Sequence, residues 1–536
     1  MAGGHVAKDS GLGANGPRGN IAGLLMVGFA AFAGILYGYD TGTIGGITAM
    51  KDWLRLFGQP TTDTDTHPTG YFIPSGRQSL VTSILSAGTF VGALVGGPVA
   101  DSLGRRNGVF LATLVFSTGV ALQTGCHQWA AYIVGRVIAG MGVGLISTLI
   151  PMYQSECAPK WIRGAVVGGY QWAITIGLLL ASVVNNATKD RDDHSAWRIP
   201  TGIQLVWAFV LTIGMFWLPE SPRFLIKQGH DEAAIHSLCR LTSLSPTDPQ
   251  IELEIQDIRT SLEEEKALGE SSYLDCFRSS TGNKIALRTL SGIFIQAWQQ
   301  LTGINFIFYY GPTFFQNSGI KNAFLVSVAT NIVNVFMTLP GMWAIERVGR
   351  RPLLIWGAVV MCICEYLVAI IGVTISVTNK SGQQALIALV CIYIAAFAST
   401  WGPIAWVVVG EIFPLNVRAK AISLSTASNW LWNFGIGYAT PYLVNSGAGN
   451  ANLGAKVFFI WGSTCLGCII FSFFCIPETK GLSLEQIDLL YQNSTPLTSA
   501  RYRKELIAND VHVAELKGNV PTSPRDEKEM AQEEKV

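Results

Sequence analysis

About twelve apolar stretches begin near residues 21, 79, 108, 128, 164, 199, 285, 322, 352, 385, 420 and 454. Each comes close to the twenty or so residues that a helix needs to cross ~30 Å of hydrocarbon. Backbone polar groups in lipid must be satisfied inside the protein. Each stretch is therefore expected to be a helix, and the whole an all-α membrane protein. Composition agrees: of 536 residues, 49% are hydrophobic and 14% charged, with mean hydropathy +0.35, where soluble domains run near 25% charged. The 37 basic and 36 acidic residues nearly cancel, which argues against nucleic acid as a partner. The first stretch is no cleaved leader, since it is about thirty residues long, contains Asp40 and has no small-residue cleavage site.

The short connectors set the orientation. Alternate ones carry Arg105 and Arg106, Lys160 and Arg163, Arg347, Arg350 and Arg351, then Arg418 and Lys420. Those between are poor in cations: Cys126-His127-Gln128 has none, and later ones offer only Lys321, Lys380 and Lys456. Lys and Arg collect on the cytosolic side of a membrane. The Arg-rich set and both termini are expected there, in a plasma-membrane protein.

The charged signatures repeat. Asp101-Ser102-Leu103-Gly104-Arg105-Arg106 returns 245 residues later as Glu346-Arg347-Val348-Gly349-Arg350-Arg351. Glu156, seven residues before Arg163, returns as Glu411, seven before Arg418, at an offset of 255. Pro219-Glu220-Ser221-Pro222 returns as Pro477-Glu478-Thr479-Lys480, at an offset of 258. Three signatures in one order require two halves, so the fold is expected to be twelve transmembrane helices in two pseudo-symmetric six-helix bundles. Residues 21–221 form the first bundle and 285–476 the second. The polar, helix-prone segment 222–284 is a cytosolic linker. Residues 1–20 are a low-complexity N-terminus and 477–536 a cytosolic tail, disordered from about 490. Duplicated halves with binding at the midplane are a transporter architecture.

One stretch suggests the ligand. Gln299-Gln300-Leu301-Thr302-Gly303-Ile304-Asn305-Phe306-Ile307-Phe308-Tyr309-Tyr310 opens an apolar helix with three carboxamides and two phenols. An amide in hydrocarbon costs free energy unless it meets a partner. Gly303 lets the helix bend between them. Several neutral donor–acceptor groups beside aromatic rings suit a neutral ligand with many hydroxyls, a sugar. The plainer alternative is that such amides hold helices together.

Gly349-Arg350-Arg351, Pro219-Glu220-Ser221-Pro222-Arg223, Pro477-Glu478-Thr479-Lys480-Gly481 and Gln299-Gln300-Leu301-Thr302-Gly303-Ile304-Asn305 together closely resemble the sugar porter family of the major facilitator superfamily. The likeness runs from about residue 21 to 490, with the flavour of fungal hexose transporters. It implies the major facilitator fold and a sugar site carried by Gln171, Gln299, Gln300 and Asn305, joined by Asn334, Trp406, Asn429, Trp430 and Asn433. Amides bridge adjacent hydroxyls, and Trp offers an apolar face to a sugar's C–H side. Tyr309 and Tyr310 are expected at an outer gate, and Gly402-Pro403 at a hinge near Trp406, because proline removes a helix hydrogen bond.

The charges at the cytosolic helix ends are expected to gate. Asp101, Glu156, Glu220, Glu346, Glu411 and Glu478 can pair across the halves with Arg105, Arg106, Arg163, Arg223, Arg350, Arg351 and Arg418 when that side is shut. The arginines alone would also satisfy the topology rule. Deeper, Asp40 lies eleven residues from Lys51 and Arg136 nine from His127, so both sit roughly 15 Å below the outer boundary. A carboxylate beside Arg stays ionised, and one parted from it in an apolar site takes a proton. Asp40 is thus a candidate proton carrier with Arg136 as its partner; a structural pair is the alternative. The resemblance points the same way, since proton-coupled sugar porters keep this Asp while several passive mammalian relatives have Asn, although some fungal facilitators also carry Asp.

Other signals lead nowhere. Gly11-Leu12-Gly13-Ala14-Asn15-Gly16 has no preceding strand, and Cys465-Leu466-Gly467-Cys468 lies inside an apolar helix. No catalytic constellation, metal-ligand spacing or ATPase module is visible, so no enzyme, cofactor or metal is expected, and gradients must supply the driving energy. The expected partners are a monosaccharide (glucose, a related hexose or xylose), protons and lipid, for a protein working as a monomer by proton symport and alternating access. A passive hexose facilitator is the alternative. A non-transporting sugar sensor on the same fold is another; the long signalling tails of such sensors contrast with a tail here of under fifty residues.

Overall fold

The structure, a computed structural model, describes residues 21–62, 70–158, 163–268, 272–278, 284–317, 320, 322–376, 379–414, 417–445, 449–482 and 484–516. The first six long helices are α1 (Ile21–Ala30 continued by Ala33–Ile47), α2 (Ser75–Leu103), α3 (Arg105–Gly125), α4 (Trp129–Cys157), α5 (Arg163–Thr188) and α6 (Ser195–Trp217). The second six are α7 (Ile285–Leu301 continued by Ile304–Asn317), α8 (Ala323–Arg347), α9 (Arg350–Thr374), α10 (Lys380–Ser399 continued by Trp401–Glu411), α11 (Arg418–Val444) and α12 (Val457–Cys475). These are the two pseudo-symmetric bundles anticipated above.

Among the described residues ten helices are long and apolar enough to cross a bilayer. The remaining two, α7 and α11, are the informative ones. α7 is cut at Thr302-Gly303 into pieces of 17 and 14 residues. α11 carries Ser423, Ser425, Thr426, Ser428, Asn429 and Asn433 within three turns, all buried. Both give up hydropathy to bring polar groups to the centre of the molecule.

Small residues let the helices approach. Gly88 and Gly92 of α2 face Gly140 and Gly144 of α4, and a methyl at any of the four would stand 2.2–2.3 Å from a backbone carbonyl. Close small-residue contact of this kind drives packing where lipid is as apolar as leucine. The halves meet along α2 against α11 and α5 against α8. Polar bonds cross that seam, from Ser423 Oγ to the Ala93 carbonyl (2.5 Å), Trp172 Nε1 to the Val335 carbonyl (3.2 Å) and Asn331 Nδ2 to Ser182 Oγ (2.9 Å).

Of the three helices interrupted among the described residues, α7 and α10 break for local reasons. Gly303 sits at φ +81°, a conformation that side chains rarely adopt, with Trp461 packed against it. α10 is interrupted at Thr400 (φ −132°, ψ −85°). Pro403 has no N–H for the Ser399 carbonyl four residues back, and its ring crowds that oxygen. The break thus falls one turn ahead of the proline. The breaks touch, since the Tyr393 hydroxyl of α10 donates to the Thr302 carbonyl of α7 at 2.7 Å.

The linker folds as short helices, Pro222–Lys227, Asp231–Thr242 and Pro249–Leu268, around Ile226, Ala234, Leu238, Ile251 and Ile255. Beyond α1, Lys51–Phe57 is a helix, followed by a two-stranded ladder pairing Gln59–Pro60 with Tyr71–Phe72. One expectation is corrected. The chain after 490 is helical as far as Leu516, in Leu484–Asn493 and Ser499–Leu516. Ile487, Leu490 and Tyr491 are buried, Asp488 pairs with the buried Arg288 of α7, and that guanidinium lies 4.4 Å from the Tyr491 ring centroid. Counting charges along the tail hid this amphipathic face. Residues 1–20 and 517–536 lie outside the described residues.

Candidate functional site

A small enclosed cavity lies between the bundles at the level of the two helix breaks. Tyr37 and Thr41 of α1 and Gln171 of α5 line it from one half. Gln299, Gln300 and Asn305 of α7, Phe397 and Trp406 of α10, and Asn429 of α11 line it from the other. The break explains how α7 contributes amides both before and after it: a continuous helix would turn Asn305 well away from Gln299, whereas the kink returns it to the same wall.

The amides are bonded mainly to one another. Asn305 Nδ2 donates to Gln300 Oε1, and Gln300 Nε2 to Asn429 Oδ1 at 3.0 Å. Asn429 Nδ2 donates to Gln299 Oε1 (2.8 Å) and Gln296 Oε1 (2.7 Å). Gln299 Nε2 reaches the carbonyls of Trp401 (3.1 Å) and Gly402 (2.8 Å). Across the seam, Trp406 Nε1 donates to Gln171 Oε1 at 3.2 Å, with the Tyr170 ring edge-on to the indole at 5.6 Å. The belt is electrically neutral and nearly self-satisfied. Each amide can trade a protein partner for a ligand hydroxyl, so exchange costs little net hydrogen bonding. A charged ligand would find no counter-charge among these lining residues.

Six of the nine expected sugar residues therefore line one cavity: Gln171, Gln299, Gln300, Asn305, Trp406 and Asn429. The other three sit outside the lining. Asn433 lies one turn beyond Asn429, accepting from Ser86 Oγ (2.7 Å) and the Tyr309 hydroxyl (2.8 Å). Trp430 donates to Ser147 Oγ at 3.0 Å and packs edge-on to Tyr37 at 4.7 Å, bracing the halves together. Asn334 is fully buried on α8, and neither amide atom has a partner among the described residues. Tyr310 donates to the Gly437 carbonyl at 2.8 Å, so both phenols tie the second part of α7 to α11 on the side away from the Arg-rich turns.

Residue-type reading missed several lining and buried groups. Tyr37, Thr41, Phe308 and Phe397 are ordinary in an apolar helix and give no signal. Gln296, one turn before Gln299, could have been found by extending the amide pattern backward. Glu365, 1% exposed on α9, could have been found as an intramembrane acid.

Asp40 and Arg136 do come together. Asp40 Oδ2 stands 3.5 Å from Arg136 Nη2, both side chains at most 2% exposed. The pair lies inside the first bundle, beside the cavity, with Thr41 in the cavity wall.

At the Arg-rich end, the repeat becomes two copies of one network. Arg105 Nη2 pairs with Glu156 Oε1 at 2.7 Å, and Arg105 Nη1 donates to the Ala100 carbonyl at 3.1 Å. The backbone N–H groups of Arg105 and Arg106 both donate to the Glu220 carboxylate at 3.0 Å, and Ser221 Oγ donates to Glu156 at 2.5 Å. In the second half, Arg350 Nη2 pairs with Glu411 Oε1 at 2.7 Å, and Arg350 Nη1 donates to the Ile345 carbonyl at 3.1 Å. Arg350 and Arg351 N–H groups donate to Glu478 at 3.1 Å, and Thr479 Oγ1 donates to Glu411 at 2.9 Å. Gly104 (φ +86°) and Gly349 (φ +113°) make the turns, each with a carboxylate, Glu220 or Glu478, where a methyl would stand. Burial pushes the Glu220 carboxyl up, opposed by the N–H groups of Ser221, Arg106 and Arg105.

The expected pairing across the halves is corrected: the described Arg–Glu pairs at this end lie within one half. Each arginine follows a tight glycine turn that folds it back onto its own bundle. Glu346 pairs with Arg350 at 3.1 Å and Asp101 with Lys227 at 3.4 Å. Arg106 and Arg351 donate to the Phe216 (3.0 Å) and Phe473 (2.7 Å) carbonyls, and Arg418 to that of Phe413 (3.1 Å). Arg223 adds its charge near Glu156. The Arg163 side chain lies outside the described residues. The halves touch here at Gly164, whose missing methyl would stand 2.2 Å from Glu346 Oε1 and 2.7 Å from Arg350 Nη2.

A sequence profile described as sugar (and other) transporter matches residues 26–491. The major facilitator-type transporter ecdD of Aspergillus rugulosus is 50% identical over 478 residues, 87% of each chain. The probable glucose transporter rco-3 of Neurospora crassa is 45% identical, covering 88% of this chain and 80% of that one. The high glucose sensor RGT2 of Saccharomyces cerevisiae is 41% identical over 91% of this chain and 63% of its own. The proton:xylose symporter XylE bound to 6-bromo-6-deoxy-D-glucose superposes with a TM-score of 0.74 at 26% identity, covering 88% of this chain and 100% of that one. With a duplicated twelve-helix fold, an amide-lined cavity at its seam and these relatives, the chain belongs to the sugar transporter family of the major facilitator superfamily and is a multi-pass membrane transporter of sugar.

Proposed function

We propose that the protein imports a monosaccharide, glucose or a related hexose, together with a proton across the plasma membrane, with the Arg-rich turns and both termini in the cytosol. The observation that carries the sugar reading is the neutral belt of Gln171, Gln299, Gln300, Asn305 and Asn429 beside Trp406, contributed by both halves. A polyol entering it exchanges amide–amide bonds for amide–hydroxyl bonds and lays a C–H face on the indole. Alternating access then follows, because the belt spans a seam whose two ends can part in turn.

Coupling rests on Asp40 and Arg136. While the carboxylate faces the guanidinium it stays ionised; when helix movement parts them in a dry bundle, it takes a proton. Uptake of radiolabelled glucose, galactose and xylose into proteoliposomes, with and without an imposed pH gradient, tests both parts. A symporter accumulates sugar above equilibrium only with the acid side outside, and Asp40→Asn abolishes that accumulation while sparing exchange. Uptake that only equilibrates would leave a passive facilitator. The RGT2 relationship supports a second reading, a sensor that binds without useful flux. Growth rescue of a hexose-uptake-deficient cell separates it from a transporter.

A further inference from the structure

A second polar column runs beside the sugar cavity, inside the first bundle. Arg136 lies seven residues from the Trp129 end of α4, so roughly 10 Å below that end. One turn closer to the surface is Tyr132, fully buried, with its hydroxyl beside the indole N–H of Trp53. Trp53 is also fully buried, its ring edge-on to Tyr132 at 6.3 Å, and neither polar atom bonds to any other described residue. Beneath them Asp40 pairs with Arg136 and lies within hydrogen-bonding reach of Gln204, while Arg136 Nε and Gln204 Oε1 make no hydrogen bond. Buried polar atoms in native proteins are bonded, and a run of them with few protein partners is a place where ordered water can complete the bonding.

The column has a titratable cap. Asp52, the residue before Trp53, is 6% exposed and stands 2.8 Å from Nδ1 of His194, whose side chain is 46% exposed. The other charged groups facing this end come from every neighbouring element. Lys51 and Arg55 share the short helix with Asp52. Arg77 of α2 lies over the Trp129 ring at 5.7 Å. From the α3–α4 turn, His127 Nε2 lies 2.8 Å from Arg198 Nη2 of α6, and Asp193 flanks His194. None of these cations is paired with Asp52 among the described residues.

We propose that the His194–Asp52 pair is the outer proton port of this transporter, delivering protons through water held by Trp53 and Tyr132 to Asp40, on a route separate from the sugar's. The step balances as one proton. The imidazolium passes its Nδ1 proton to Asp52 and takes another from outside. Asp52 releases its proton to the column, and Asp40 accepts it as the bond to Arg136 is given up, with the guanidinium still charged. The port rests on the proton-coupled reading.

The test uses the full chain in proteoliposomes with a pH-sensitive dye inside. Sugar-evoked proton entry is measured beside sugar counterflow without a pH gradient. Asp52→Asn and His194→Gln are each expected to slow proton entry by about tenfold, a barrier increase of about 1.4 kcal/mol, and counterflow to stay near wild type. Tyr132→Phe, which keeps the ring and removes the hydroxyl, is expected to slow it in the same sense. Proton entry at the wild-type rate in all three variants overturns the port while leaving coupling intact, and a parallel fall in counterflow reduces the pair to a structural role. No sugar-evoked proton entry in the wild type sinks coupling and port together.

Discussion

Gln300 makes the most connections in the amide belt. Its amide nitrogen donates to Asn429, and its oxygen accepts from Asn305 and Asn433. Gln300→Ala removes those bonds and any pair a sugar would form there, and at ~0.5–1.5 kcal/mol for each neutral bond it is expected to weaken sugar binding about tenfold. Equilibrium binding of labelled hexose by the purified protein measures this; an affinity within twofold of wild type would move the site elsewhere. Asn334 is the informative contrast, since it lies outside the lining and its amide is unpartnered. At this scale the chain was legible where a polar type stands in an apolar run, as Gln299, Gln300 and Asn305 do. It was silent where the lining is made of types that apolar helices use anyway, such as Tyr37 and Phe397. No spacing rule tells a core aromatic from one facing a ligand.

The broken helices carry the site. At the α7 break, Thr464 Oγ1 donates to the Leu301 carbonyl at 2.5 Å and the Tyr393 hydroxyl to that of Thr302 at 2.7 Å, so α12 and α10 satisfy acceptors that a continuous helix would have used itself. Gly303→Ala places a methyl 2.5 Å from Trp461 at φ +81°. Strain in that conformation costs roughly 1–3 kcal/mol, and the indole must shift as well. The expected result is a lower melting temperature together with a transport defect, and a replacement with neither would show that the break is not enforced by this glycine. Elements were the most legible scale. Helix starts read from hydropathy fall within five residues of those observed, because a ~30 Å slab sets length and polarity together. The tail shows why other parts were not: its helices are held by Arg288–Asp488 and by a short apolar face, too weak a pattern against a charged background.

Across the whole molecule, the two Arg-rich networks are the same device built twice, and each ties its own bundle into a rigid body. Glu156 and Glu411 hold matching places: each bonds the arginine of its own glycine turn and accepts from a hydroxyl, Ser221 or Thr479. Among the described residues the halves touch where the start of α5 at Gly164 meets Glu346 and Arg350, and where Ser155, beside Glu156, meets Gly410, beside Glu411. Removing one partner of a buried pair costs roughly 3–5 kcal/mol, of which the remaining Glu346 contact to Arg350, at 3.1 Å, recovers part. Glu411→Ala therefore frees Arg350 and loosens the surface against which α5 closes, shifting the protein toward the state open at the Arg-rich end. Glu156→Ala loosens the opposite bundle and is expected to shift it the same way. The two acids share no bonded partner, although Ser155 and Gly410 beside them meet across the seam; shifts that add to within about 0.5 kcal/mol in the double variant would show that each acts within its own bundle. Labelling of single cysteines placed on either face of the cavity measures the populations. Strong non-additivity would mean that the acids act on each other across the seam when it closes, as the bare order of charges along the chain suggests. Unchanged accessibility in all three variants would leave these networks as anchors of topology rather than parts of the gate.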